Sequence, residues 1–348
     1  MASLLSGLAE VSLRIFLHLI MTMQVKPVCY YPFLPGLNVR RYKIVPPDYI
    51  LLRHIRIHNA NALSGPFTVG FPAVTAWMGF VHALERKLSD IGFPSIRLSY
   101  TGVICHSCNL QIYKSPEDIT YCITGKGKPL NKNGRMASFI EEARCNLNVS
   151  LFISYNNKNI DKSQLQNIVY DLLLTMKIAG GDILSTSVPV IGILPDNGRD
   201  NNRLLRKMMP GYALLERRDL MSDAMNRGDD AMDALLNYIA VTREYIGEKN
   251  GKGKKRYRWH SRRKALGWII PVVTGFHGIS PLGNAENQRA EDTPHRFAES
   301  VVTLGEFRRV DKLRHPADMW WEYSYQKEKN LYLCQQVSSC FSGQGEQR

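Results

Sequence analysis

The chain has 348 residues, 44% apolar and 22% charged, which is enough apolar sequence for a buried core and excludes a globally disordered chain. It is too long for one minimal module and long enough for two domains or one large elaborated one. Forty-five Lys and Arg against 31 Asp and Glu leave a formal net charge of +14, which suits a polyanionic partner, either nucleic acid or an acidic membrane.

Seven dispersed cysteines do not form a disulfide framework and point to a reducing, cytoplasmic compartment. At the amino end, Leu4 to Ile20 is apolar but interrupted by Glu10, Arg14 and His18, and is too short to span a bilayer. No Lys or Arg precedes it, as a secretory signal requires. Leu4, Leu5, Leu8, Val11, Ile15 and Leu19 fall near the spacing of an amphipathic helix. Five prolines between Pro27 and Pro47 then forbid a continuous element. Residues 1–48 are expected to be an extension outside the core, or translation to begin later, at Met21, Met23 or beyond; no membrane role is expected.

From Leu51 to His58 the pattern has period two. Arg53, Ile55 and Ile57 point one way, and His54, Arg56 and His58 the other: a strand with an apolar and a basic face. A loop rich in Asn, Gly and Pro follows, Asn59 to Pro72. Val74, Trp77, Met78, Val81, Leu84 and Leu88 then form the stripe of an amphipathic helix. Arg97 to Tyr113 reads as β, Lys114 to Met136 as a connection or hairpin tip, and Cys145 to Tyr155 as an alternating strand. Asp161 and Gln164 make a capping box for a helix with apolar stripe Leu165, Ile168, Val169, Leu172, Leu173 and Met176. Gly180 and Gly181 are its expected stop, and Ile183 to Leu194 is read as one final strand.

The order β-α-β-β-α-β over 49–200 is the ferredoxin-like, RRM-type pattern, so the expected class is α+β. The two helices should cover one sheet face and leave the other open, the face that holds RNA in such domains. Aromatics on the middle strands, the usual RNA-binding signature, are missing, and the fold alone specifies no activity.

The second half, 201–348, is expected to be an irregular α+β region. Arg203 to Glu248 reads as mostly helical, with Met221, Met225, Met232, Leu235, Leu236 and Ile239 as core candidates. The segment 249–264 carries nine Lys or Arg and no acid. In it Lys252, Lys254, Lys255, Arg256, Arg258, Arg262 and Arg263 interleave with Tyr257 and Trp259. Cations for phosphates beside aromatics for bases are the parts of a single-strand site, although charge runs are commonly solvated loops. Trp268 to Val273 reads as a strand and Gly275 to Gly283 as a glycine-rich turn without a Walker spacing. Met319 to Leu333 is aromatic-dense, a candidate partner surface or simply core.

Catalytic readings are weaker. His54 and His58 on one strand face, with His82 on the next helix, could flank a phosphodiester for acid–base cleavage. Cys105, His106, Ser107 and Cys108 have CxxC spacing, but zinc needs two more ligands, with only Cys122 or Cys145 to recruit. Buried structural cysteines, no metal and no cofactor are expected. No nucleophile has a recognisable partner.

Four stretches together resemble one family. They are RIHNANALSGPFTVGFPAVTAWMGFVHALERKL from Arg56 to Leu88, GVICHSCNLQI from Gly102 to Ile112, GRMASFIEEARCNLNVSLFI from Gly134 to Ile153, and GFHGISPLGNAENQRAEDTPHRFAESVVTLGEF from Gly275 to Phe307. The resemblance, from about Ile50 to about Gln335, is to the crRNA-binding subunits of type I-F CRISPR surveillance (Csy) complexes, in the Cas-five family. It implies a non-catalytic RNA binder that clasps the 5′ handle of the crRNA together with the large subunit. It also implies that the chain caps a filament of backbone subunits and meets target DNA only through the complex. Such proteins carry a projecting β-hairpin thumb, which the strand order assigns to Lys114–Met136, with Lys126, Lys128, Lys132 and Arg135 available for phosphates. Asn59 and Asn61 are candidates for base edges or 2′-hydroxyls, with turn chemistry as an equal alternative. Arg56 and His58 are candidates to face RNA or a neighbouring subunit. The alternative function is a free-standing, metal-independent endoribonuclease.

Overall fold

The structure, a computed structural model, describes residues 48–117, 121–124, 130, 133–136, 142–156, 161–195, 197–240, 243–249, 255–261, 267–284, 286 and 293–337, and over 243–249 and 255–261 the backbone alone. The extension before residue 48 therefore lies outside the described residues, as do Lys126, Lys128, Lys132, Lys252, Lys254, Arg262 and Arg263.

In chain order the first elements are β1 (Asp48–Asn61), β2 (Leu63–Gly65), β3 (Thr68–Val69), α1 (Val74–Asp90), β4 (Arg97–Leu110), β5 (Ile112–Tyr113) and β6 (Cys122–Ile123). They continue with β7 (Arg144–Asn156), α2 (Lys162–Leu174), β8 (Lys177–Ile178), β9 (Gly181–Ser185), β10 (Val190–Ile193), α3 (Gly198–Arg206), β11 (Tyr212–Glu216), α4 (Arg218–Asn226) and α5 (Ala231–Ile239). The last are β12 (Arg243–Lys249), β13 (Lys255–Ser261), β14 (Trp268–Gly278), β15 (Ala298–Arg309), β16 (Trp320–Gln326) and β17 (Leu331–Gln336). The fold is α+β. An 11-stranded sheet runs β11-β15-β14-β17-β16-β4-β7-β1-β9-β8, and β10 also pairs with β1. Every pairing in it is antiparallel. Strands from both sides of residue 200 share this sheet.

β4 belongs to two neighbourhoods. One edge carries β7 along its length. On the other edge β16 pairs at Thr101–Gly102 and β11 at Ile104–Cys105. Because β11 and β16 are also joined through β15, β14 and β17, the pairings close into a ring through β4.

α1 forms where the periodicity places it. Val74, Trp77, Met78, Val81, Leu84 and Leu88 are all buried, with Phe80 added. α2 buries Leu165, Val169 and Leu173. Its N-cap is Asp161, whose carboxylate accepts from the Ser163 N–H at 3.1 Å and hydroxyl at 2.7 Å, the bonds that hold its pKa below the usual carboxylate value. Both helices pack on one face of the sheet, over Ile50, Leu52, Ile55 and Ile57 of β1, Val103 and Cys105 of β4, and Leu147, Val149 and Leu151 of β7.

The opposite face is not open throughout. A second core of Tyr49, Leu51, Ile104 and Phe152 is covered by Leu204 and Leu205 of α3, by Met208, and by Val310, Leu313, Met319 and Trp320. Trp320 stacks on Phe152 at 5.6 Å and on Tyr100 at 5.4 Å. These covering residues come from the second half of the chain, which the strand-and-helix order of the first half does not reveal. The other half of this face, towards His58 and Asn61, carries exposed polar residues.

Four local readings change. The helix ends at Leu174, before Gly180 and Gly181. Ala179 (φ 48°) and Gly180 (φ 74°) are instead the left-handed turn of the β8–β9 hairpin. The single strand read at Ile183–Leu194 is two, β9 and β10, because Thr186 and Ser187 turn to hydrogen-bond the Arg53 carbonyl. Arg203–Glu248 is the end of α3, strand β11, the short helices α4 and α5 and most of β12, not one helical run. β14 continues through Gly275 to Gly278, where a turn is read, because a bulge after Val273 brings Gly275 against the Tyr332 carbonyl and leaves no room for a Cβ.

Gly181 fixes the hairpin against β1. A Cβ there would lie 2.7 Å from the His58 carbonyl oxygen and 2.8 Å from the Ala60 Cα. Gly181→Ala is expected to cost about 1–3 kcal/mol, read as a lower urea midpoint with unchanged m-value.

Candidate nucleic-acid interface

Two bulges shape β1, between Leu52 and Ile55 and between Ile57 and Ala60. They hold His54 (φ 50°) and Asn59 (φ 61°) in left-handed backbone. Ile55 and Ile57 keep to the helix side, so Arg56 and His58 stand exposed on the other. Arg56 lies across from Asn148 of β7 and Ser185 of β9. His58 lies across from Asp182, which pairs with Lys177 at 2.8 Å.

Behind them, the His54 ring lies tilted against that of His106 of β4, with ring centroids 4.3 Å apart and an interplanar angle of 33°. His106 Nδ1 meets the Pro210 carbonyl, which can only accept, so Nδ1 carries the proton. Its Nε2 then accepts from the fully buried Ser150 hydroxyl at 2.7 Å, and that oxygen in turn accepts the His54 N–H at 3.0 Å. Burial holds the His106 pKa below the usual histidine value; the Pro210 bond opposes this and the neighbouring His54 adds to it. A folded pKa below the unfolded one means stability that is full above about pH 6.5 and is lost as pH falls through the folded value. Between pH 7.5 and 5.5 the wild-type urea midpoint is expected to fall more than that of His106→Gln.

The remaining polar residues lock the rim. The Asn59 N–H donates to Asn146 Oδ1 at 3.0 Å. Gln111 Nε2 bridges Asn59 Oδ1 and Asn146 Oδ1 at 3.4 and 3.5 Å. Arg144 reaches the Asn59 carbonyl at 3.5 Å and pairs with Glu142 at 2.6 Å. Asn61 closes a turn, its side chain donating to the Leu63 carbonyl and accepting the Leu63 N–H at 3.0 and 3.1 Å. Asn61 thus does turn chemistry and remains exposed, whereas Asn59 sits in a bulge and its side chain is bonded across to Gln111. Sequence reading missed His106, Ser150, Asn146 and Asn148. The signal was present as the alternation of β4 and β7, in which His106 opposes Cys105 and Asn146 opposes Cys145.

The basic segment supplies a hairpin. β12 and β13 pair from Arg243 opposite Ser261 to Lys249 opposite Lys255, and among the described residues they pair with no other strand. The register puts Arg243, Tyr245, Lys249, Lys255, Tyr257 and Trp259 at positions of one face. Arg256, Arg258 and His260 are on the other, beside Glu244, Ile246 and Glu248. At the expected thumb, β5 and β6 form a short hairpin with Lys114 over the Tyr121 ring at 5.4 Å, and Arg135 is exposed.

The cleavage and metal constellations separate. His82 lies on α1, packed on the sheet face opposite His54 and His58, and both ring nitrogens of His106 are engaged. Cys105 is buried, with its pKa pushed up to about 12 by burial and then by Cys108, while His106 points to the other side. No metal-binding cluster occurs among the described residues. No helix among them is long and apolar enough to cross a membrane.

The chain can be compared with known proteins on this basis. A family profile described as CRISPR-associated protein (Cas_Csy2) matches residues 50–334. A relative from Pseudomonas aeruginosa (strain UCBPP-PA14), named CRISPR-associated protein Csy2, is 31% identical over 313 residues, covering 82% of this chain and 94% of the relative. The match spans both cores, the histidine-bearing face of β1 and the basic hairpin, and the chain therefore belongs to the Csy2 family of CRISPR-associated proteins.

Proposed function

We propose that this chain is the non-catalytic crRNA-binding subunit of a type I-F surveillance complex. It holds the 5′ handle with the large subunit, caps the backbone filament, and serves antiviral defence by DNA targeting from the cytoplasm. The observation that carries this is the polar half-face of the sheet, where Arg56 and His58 stand exposed beside a tilted histidine pair while the rest of that face is sealed by the second core. The strand order β4-β7-β1-β9, antiparallel throughout with α1 and α2 on one face, supports a ferredoxin-like core for 49–200. Such a core offers a backbone-tracking surface to a single strand. The chain-wide charge of +14 and the separate basic hairpin support the same ligand.

Cleavage is the weaker reading, because His82 lies on the helix that packs on the sheet face opposite His54 and His58, and both ring nitrogens of His106 are engaged. Labelled repeat-derived RNA incubated with the protein in EDTA is expected to shift intact in a gel. The shift should weaken with salt at roughly −0.7 in log–log slope per phosphate neutralised. Cleavage abolished by His58→Ala would overturn the proposal in favour of a nuclease, and absence of any shift at low ionic strength would remove RNA binding altogether.

A further inference from the structure

On the helix side of the sheet, beneath the β2–β3 hairpin, a cavity of about 270 Å³ opens between β4, β14 and β15. Its walls include Phe71, Cys105, Cys108, Trp268 and Phe307. Trp268 is half exposed at its mouth, 5.0 Å from the Phe307 ring and 5.5 Å edge-on from Tyr212. Phe71 meets the other edge of Phe307 at 5.1 Å. The polar part of the lining is a hydroxyl pair, Ser64 donating to the Thr68 hydroxyl at 3.0 Å, together with the half-buried Cys108. A hydrogen bond with Cys145 lowers the Cys108 thiol below the usual cysteine value.

The cavity and the polar half-face lie on the two sides of β4. Tyr212 pairs with Cys105, the residue beside His106. Past that pair, Ser107–Leu110 of β4 keeps one edge without a strand partner among the described residues. Cys108 and Leu110 of this stretch line the cavity, while Asn109 between them opposes Asn146 on the polar half-face, so the cavity and that half-face meet at the free edge of β4. A flat ligand that stacks on indole and offers polar edges to hydroxyl and thiol groups matches this lining better than an aliphatic one.

We infer that the cavity at Trp268 receives one unstacked nucleobase of a single strand whose backbone lies across the polar half-face. The inference rests on the RNA-binding reading. Its test uses the full chain and repeat-derived single-stranded RNA carrying 2-aminopurine at one position at a time. One position is expected to show quenching that disappears in Trp268→Ala, with roughly 5- to 150-fold weaker binding of that RNA. A second readout needs no variant: iodoacetamide modification of Cys108, mapped by mass spectrometry, should slow at least about tenfold when RNA binds, the expectation for a thiol shielded from reagent. An abasic site at the quenched position should restore the rate. RNA that binds with no Trp268-dependent position and an unprotected Cys108 would overturn the cavity and leave the RNA-binding reading standing. RNA that fails to bind at low salt would overturn both.

Discussion

Trp321→Ala is expected to remove about 3–5 kcal/mol, the usual cost of emptying a fully buried tryptophan site, out of a total near 5–15 kcal/mol. Trp321 is 0% exposed in the main core, and its indole N–H donates to the Leu214 carbonyl of β11 at 3.0 Å. The substitution opens a cavity where β16 and β11 meet beside β4, and it leaves that carbonyl without its side-chain donor. Thermal unfolding should fall by about 6–20 °C. Tyr323→Ala, two residues along the same strand, should change stability by less than about 1 kcal/mol, because Tyr323 is 46% exposed. A small loss at Trp321, or an equal loss at both, would contradict this partition. The contrast also divides the aromatic stretch Met319–Leu333. Its first three residues are core, and Tyr323 and Tyr325 remain at the surface.

The hairpin register separates two contributions that a composition count merges. Arg256→Gln with Arg258→Gln should reduce the salt slope of RNA binding by about 1.4, two phosphates at roughly 0.7 each. Tyr257→Ala with Trp259→Ala, on the opposite face, should weaken binding by about 1–3 kcal/mol for each base that stacks and leave the slope in place. Fluorescence anisotropy across a salt series reads both. Identical behaviour of the two double variants would refute a two-faced hairpin, and no effect from either would make it a solvated loop.

What the sequence reveals follows the range of the interactions. The α1 stripe and the period of β1 are local, and every buried position predicted for α1 is buried. The outer placement of Arg56 and His58 follows from the same alternation. The bulges at His54 and Asn59 do not, since they depend on partners in β7. The His54–His106 ring contact joins β1 to β4 with a serine of β7 bonded to both, so no window along the chain contains it. The sealing of half the outer face was the largest omission, because Leu204, Val310, Met319 and Trp320 arrive from elements far along the chain. The basic segment was legible as charge with aromatics, but the separation of Arg256 and Arg258 from Tyr257 and Trp259 onto alternate faces of a paired hairpin needed the register.

The sharing of β4 between β11 and β16 has a consequence for biosynthesis. When β1, β4 and β7 have left the ribosome, the second edge of β4 still lacks the partners that Tyr212–Ala213 and Trp320–Trp321 provide. A bare strand edge beside an apolar face is a template for wrong association. The nascent amino-terminal half is therefore a natural client for chaperones, and carboxy-terminal truncations before β16 should accumulate as insoluble aggregates even where every residue of the first core is intact.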